Sequence, residues 1–168
     1  MKKLPEAISV IDDTCHVIIN FDDFSVNGIK LFTYIYNLSF LGLKYNIEQH
    51  DKSICLRKYG ISIGVEKNKL TSFSVFFNKT DFAKPFNGII VVNNTVTAIT
   101  RKTTPEYIES ILGKPSPESW KDEVEICHQY NNGEIETQFS WRYEHFYKFV
   151  IIRLNYIDVT YYPENQSL

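Results

Sequence analysis

Three landmarks in this chain recur 71 positions apart. Thr33 and Thr104 each open a short apolar stretch, Leu41-Gly42 and Leu112-Gly113 close those stretches, and Tyr59 and Tyr130 end the similar segments Cys55-Leu56-Arg57-Lys58-Tyr59 and Ile126-Cys127-His128-Gln129-Tyr130. Upstream, the segment from Phe24 to Ile29 resembles Ile90 to Thr95 at a spacing of 66. Downstream, Leu70 to Val75 resembles Tyr147 to Ile152 at 77. Loop insertions into one copy of a duplicated unit would widen the spacing in this way. A period this long is one small α+β unit rather than a solenoid repeat. The 168 residues are therefore expected to fold as two repeats, 1–80 with an N-terminal strand and 81–168, or as their fusion into one domain.

Local signals shape each unit as hairpin, helix and antiparallel meander. Asn27-Gly28 and Asn93-Asn94 sit between apolar runs, where a two-residue turn needs residues that tolerate positive φ. In the first unit Tyr34, Leu38 and Leu41 have helical spacing, so a helix is predicted over 33–41 with Gly42 as its stop. In the second, Thr103 or Thr104 caps a helix, Thr103 with Glu106 making a capping box and Pro105 fitting the first turn. Tyr107, Ile108, Ile111 and Leu112 would form its apolar face, with Gly113 ending it. Strands are expected at 16–21, 53–65, 70–77, 124–130, 135–143 and 149–162, with a turn at Glu144-His145 and a linker at 79–86. The fold class is thus α+β: two repeated units, each a short helix packed on an antiparallel sheet, forming a joint sheet surface. With a helix on one face of each sheet, the other face is left for a partner.

Composition narrows the function. The net charge of −2 gives no general nucleic-acid footprint. Aromatic residues make up 15% of the chain, with 12 Phe and 11 Tyr, a supply that suits sheets and interfaces alike. Cys15, Cys55 and Cys127 form no C-x-x-C pair, and as buried free thiols they point to a reducing compartment. Met1-Lys2-Lys3 is followed by no apolar run, and no 18-residue apolar stretch exists. Neither a leader nor a membrane span is expected, and the expected location is the cytoplasm.

No catalytic or metal pattern emerges. His16, His50, His128 and His145 are scattered. Cys127-His128 is best read as a strand pair with the thiol inward and the imidazole outward. Gly60-Ile61-Ser62-Ile63-Gly64 imitates a nucleophile elbow, but Ser62 lies in strand alternation with no helix after it. No phosphate loop is present. Neither metal nor cofactor is expected. The densest mixture of aromatic and charged residues runs from Trp141 to Phe149. Trp, Tyr and Arg are the commonest binding anchors, so it is read as core filler or as a recognition hairpin.

Thr104-Pro105-Glu106-Tyr107-Ile108-Glu109-Ser110-Ile111-Leu112-Gly113-Lys114-Pro115, a capped short helix ending in Leu-Gly-x-Pro ahead of a meander, resembles the β-lactamase-inhibitor-protein-like unit. Leu41-Gly42 matches it without the proline. The chain is also similar to small cytoplasmic bacterial immunity proteins against type VI or Rhs-type effectors. The resemblance implies a tandem scaffold and an inhibitor that occludes the active site of a cognate secreted antibacterial toxin. That inhibitor family is secreted and disulfide-bonded, whereas this chain shows neither leader nor cysteine framework, which turns the implied target away from β-lactamase. The expected partner-binding residues are Trp120, Trp141, Tyr143 and Tyr147 as anchors, with Asp122, Glu134 and Glu136 supplying charge toward a basic toxin surface. The expected partner is a protein, not nucleic acid, membrane or small molecule. Two other readings stay open: a small enzyme with an unrecognised carboxylate or His site, and a chaperone or adaptor for an exported effector.

Overall fold

Along 61–66, Ile61, Ile63 and Val65 alternate with Ser62, Gly64 and Glu66, and only the first set is buried. That period of two recurs through most of the molecule and makes it mostly β. The computed structural model describes residues 17–48, 52–80, 83–147 and 149–162. Among them are β1 (Ile18–Asn20), β2 (Ser25–Val26), β3 (Ile29–Lys30), β4 (Ser53–Leu56), β5 (Ile61–Glu66), β6 (Lys69–Phe76), β7 (Ile89–Val92), β8 (Thr95–Val96), α1 (Pro105–Leu112), β9 (Trp120–Lys121), β10 (Glu125–Asn132), β11 (Ile135–Phe146) and β12 (Phe149–Tyr161).

These strands form two sheets. The smaller has the order β3-β2-β1-β7-β8, and the larger has the order β4-β5-β6-β12-β11-β10-β9. Every pairing is antiparallel except β1 with β7. The expected pair of repeated helix-on-sheet units is therefore not what the chain builds. Strands from either side of residue 80 share one large sheet, joined where β6 pairs with β12 (Phe73 opposite Val159, Val75 opposite Ile157). The small sheet lies over its inner face. Phe21, just past β1, meets Phe73 edge-on at 6.4 Å and stacks on Phe139 at 5.9 Å. Ile61, Ile63, Leu70, Phe73, Val75, Phe139, Trp141, Leu154, Ile157 and Val159 fill the core from below, and Ile19, Val26, Ile90 and Val92 fill it from above.

The predicted helix over 33–41 is also corrected. Only Ser39–Leu41 turns, as a single 3₁₀ turn, although Gly42 does take the left-handed stop conformation (φ 72°). Thr33, Tyr34, Ile35 and Tyr36 are β-branched or aromatic and lose rotamer freedom in a helix. Here they run extended instead. Ile35 is buried between exposed Tyr34 and Tyr36, whose rings stack at 6.3 Å, and Tyr34 bridges Lys69.

The second helix forms where predicted. Its cap is Thr104, whose hydroxyl accepts the Tyr107 N–H. Thr103 instead accepts the Thr100 N–H at 2.9 Å. Both expected hairpin turns are present, with Asn27 and Gly28 at φ 49° and 80° and Asn93 and Asn94 at 52° and 55°. The Asp22 carboxylate ties the second turn to β1 by accepting the Asn93 and Asn94 N–H groups, both at 2.6 Å. The expectations for Cys15 and His16 and for His50 lie outside the described residues. No helix among the described residues is long and apolar enough to cross a membrane.

Candidate protein-interaction surface

The last hairpin outlasts its neighbours. β10 pairs with β11 only as far as Glu125 opposite Arg142, and β6 pairs with β12 only from Tyr156 onward. Beyond those limits Tyr143, Glu144, His145 and Phe146 pair with Ile152, Ile151, Val150 and Phe149 as a two-stranded arm. The expected turn at Glu144-His145 is thus strand, and the chain turns around Tyr147 instead. An isolated two-stranded ribbon is marginal in water, so its base needs support. Arg101 and Arg153 both pair with Glu144, the second at 3.9 Å. The Leu154 N–H donates to the Arg101 carbonyl at 3.0 Å, and the Tyr143 N–H to the Val124 carbonyl at 3.1 Å. At the tip, Phe146 and Phe149 stack at 5.3 Å as a cross-strand aromatic pair. Both are exposed, as is Val150, and Tyr147 is 99% exposed.

The expected anchors separate by environment. Tyr147 crowns the arm. Tyr143 is half-buried and packs against the core. Trp141 cannot be a surface anchor: it is 0% exposed, stacks on Phe139 at 6.0 Å, and donates its indole N–H to the Thr103 carbonyl at 2.8 Å. Trp120 is 46% exposed on the edge strand β9, opposite Cys127. It lines a groove of about 340 Å³ with Pro105, Glu106 and Glu109 of α1, Lys121, and His128.

The expected charges also have local duties. Asp122 accepts the N–H groups of Val124 and Glu125 at 2.7 and 2.8 Å and so shapes the entry to β10. Glu134 accepts the Tyr161 hydroxyl at 2.7 Å. Glu136 accepts Gln129 and Gln138 amides at 2.7 and 2.8 Å on the outer face of the large sheet. That face bears residues the sequence reading passed over. Asp158 accepts Ser74 at 2.6 Å and Thr160 at 3.2 Å, and Glu125 accepts the Ser140 hydroxyl. Asp158 lies opposite Ser74 and Gln138, and Glu136 opposite Thr160. The period of two would have placed Glu136, Gln138, Asp158 and Thr160 on one face, but only the β11–β12 register makes them neighbours.

The Cys127-His128 pair keeps the expected burial, with Cys127 buried and His128 less so, but takes the opposite faces. His128 shares the inner face with Trp141, ring to ring at 5.1 Å, while Cys127 sits across from Ser140 on the outer face. Burial, then Glu125 and Glu136, push the Cys127 thiol up to about 11, away from the thiolate a nucleophile needs. Burial, helped by Glu109, pushes Tyr130 up to about 12. Glu106 and Glu118 are lowered by hydrogen bonds at exposed positions. A second concavity of about 480 Å³ lies between the Asp22 turn and Tyr130, lined by Phe21, Phe24, Val92 and Leu112.

His128 makes a pH prediction. Burial holds its pKa below 6.5, against the opposing pull of Glu109 and Glu106. The unfolded chain therefore takes up this proton first as pH falls. The resulting stability is full above about 6.5 and drains as pH drops toward the lower folded value. Melting temperatures measured between pH 7.5 and 5 should fall in the wild type. The slope should be shallower in His128→Gln, and equal slopes would remove His128 as the cause. Comparison with protein-family models, with curated proteins and with solved structures finds no match for this chain.

Proposed function

We propose that this chain is a protein inhibitor of the immunity type, acting in the cytoplasm by binding a cognate antibacterial toxin and occluding its active site. The observation that carries this reading is the arm. A ribbon anchored at its base by two arginines presents stacked Phe146 and Phe149 and a fully displayed Tyr147. Phe146 and Phe149 cover one another only in part and, with Tyr147, leave much apolar surface in water outside the core. Seated in a concave partner, they would bury large rings with little conformational entropy to lose. A protruding hairpin also has the shape of a plug, which suits occlusion of a cleft.

The test is the triple variant Phe146→Ser/Tyr147→Ser/Phe149→Ser, titrated calorimetrically against the toxin domain encoded beside this chain. Buried aromatic anchors contribute about 2 kcal/mol or more each. Affinity is therefore expected to fall at least roughly 100-fold, with the melting temperature unchanged. Unchanged affinity would remove the arm as the binding element. Binding that leaves the toxin fully active would replace inhibition by a chaperone or adaptor role.

A further inference from the structure

The outer face of the large sheet is antisymmetric in charge along its strands. On β11 the outward residues run Glu136, Gln138, Ser140, Arg142. On β12, with Asn155 taken up by a bulge opposite Ser140 and Trp141, they run Asp158, Tyr156, Arg153. Both strands thus carry an acid at one end, neutral groups in the middle and an arginine at the other end. The acidic end has its hydrogen bonds satisfied by Gln129, Gln138, Ser74 and Thr160, all neutral donors. The basic end sets Arg101, Arg142 and Arg153 against Glu144 and Glu125. Arg142 is exposed and makes no ion pair with a described residue, although Glu125 lies across from it in the register. The described elements pack against the opposite face of this sheet.

We propose that this face pairs with the same face of a second copy of the chain about a two-fold axis. An axis lying between the sheets and crossing the strands between the levels of Phe139 and Ser140 reverses strand direction. It brings Arg142 of each copy within about one residue, roughly 3.4 Å along the strand, of Glu136 of the other, and Arg153 equally close to Asp158. Four opposite-charge pairs result from two per copy, as an isologous interface requires. The remaining half of the face is mostly small: β4, β5 and β6 present Ser53, Cys55, Ser62, Gly64, Ser72 and Ser74 there, between Glu66 at one end and Phe76 beside Tyr156 near the axis. Six strands of the face span about 24 Å, and its rows run about 25 Å along the strands, or roughly 600 Å² per copy. The total of roughly 1,200 Å² reaches the lower bound of stable interfaces. The arms leave such a pair at opposite ends, so the dimer would display two of them.

The experiment is equilibrium sedimentation of the full chain at about 50 µM, in low and high salt, with far-UV circular dichroism as a fold control. The wild type should have twice the monomer mass and dissociate as salt rises. Arg142→Glu/Arg153→Glu and Glu136→Arg/Asp158→Arg should each be monomeric, since like charges then face one another. An equimolar mixture of the two variants should recover the dimer, which only folded chains with complementary faces can do. A monomeric wild type would overturn the proposal. So would variants that stay dimeric, or a mixture that stays monomeric. A monomer whose acidic rows bind polylysine would assign the face to a basic partner instead.

Discussion

Trp141→Ala is expected to lower the unfolding free energy by about 4 kcal/mol, and with it the melting temperature by roughly 8–16 °C for a chain of this length. Two losses combine. The ring is 0% exposed and sits between Phe139 and His128 at 6.0 and 5.1 Å, so alanine leaves a cavity in the core. The indole N–H also satisfies the Thr103 carbonyl at 2.8 Å, just ahead of the Thr104 cap of α1. Trp141→Phe separates these terms: it keeps much of the volume and orphans the carbonyl, at an expected cost of about 1–3 kcal/mol. Trp120→Ala, on the exposed edge strand, should stay within about 0.5 kcal/mol of wild type. Urea titrations followed by circular dichroism rank the three. A Trp141→Ala midpoint equal to that of Trp120→Ala would refute the packing described here.

Gly60→Ala should cost about 3 kcal/mol, although it adds one methyl group. Gly60 has φ 68°, a conformation that costs an L-residue about 1–2 kcal/mol. A Cβ there would also overlap the Phe86 nitrogen and the Lys84 carbonyl oxygen, both backbone atoms that cannot swing aside. Such overpacking typically adds about 1–3 kcal/mol. The crowding exists because the segment before β7 is laced to this turn. The Lys84 N–H donates to Arg57, the Phe86 N–H to Phe76, and the Phe76 N–H to Gly60. Gly28→Ala is the matched control, since φ is 80° but no atom lies within 4 Å of its Cβ. Its cost should be backbone strain alone. Equal losses in the two variants, read from denaturant midpoints, would show that the 84–86 contact contributes nothing.

Legibility in the sequence followed the range of the interaction. Asn27-Gly28, Asn93-Asn94, Thr104-Pro105 and Gly113 decide their own backbone within a few residues, and each turn or cap was readable. The segment 33–41 was misread because Tyr34, Leu38 and Leu41 fit a helical spacing while Tyr34, Ile35 and Tyr36 also fit a period of two. The partner that settles the choice, Lys69, is far along the chain. The union of β6 with β12 had no local sign at all. Without it, two sheets with a helix each was the natural inference from repeated landmarks.

The projecting arm is legible only as a region. The aromatic density from Trp141 to Phe149 coincides with that hairpin, but does not tell which rings face inward. Strand alternation separates Trp141 and Tyr143 from Arg142 and Glu144; it does not say which set meets the core. The misplaced turn has a plain cause. Glu144-His145 is polar and suits a bend, whereas the true turn around Tyr147 lacks the glycine, asparagine or proline that would announce it. Trp120 and Tyr147 were picked out by residue type and do lie at the surface. Asp158 and Arg153 were missed because their meaning lies in what stands across the strand.

The seam between β6 and β12 sets an order of events during synthesis. Ser74 and Asp158, hydrogen-bonded across it, lie 84 positions apart. At about 5–20 residues per second, the ribosome adds that stretch in roughly 4–17 s. Throughout that interval β6 offers an unpaired edge, with its own Phe73 and Val75 awaiting Val159 and Ile157. Closure of such distant partners is intrinsically slow, so the nascent chain would be a natural client for a holding chaperone until its last strand emerges.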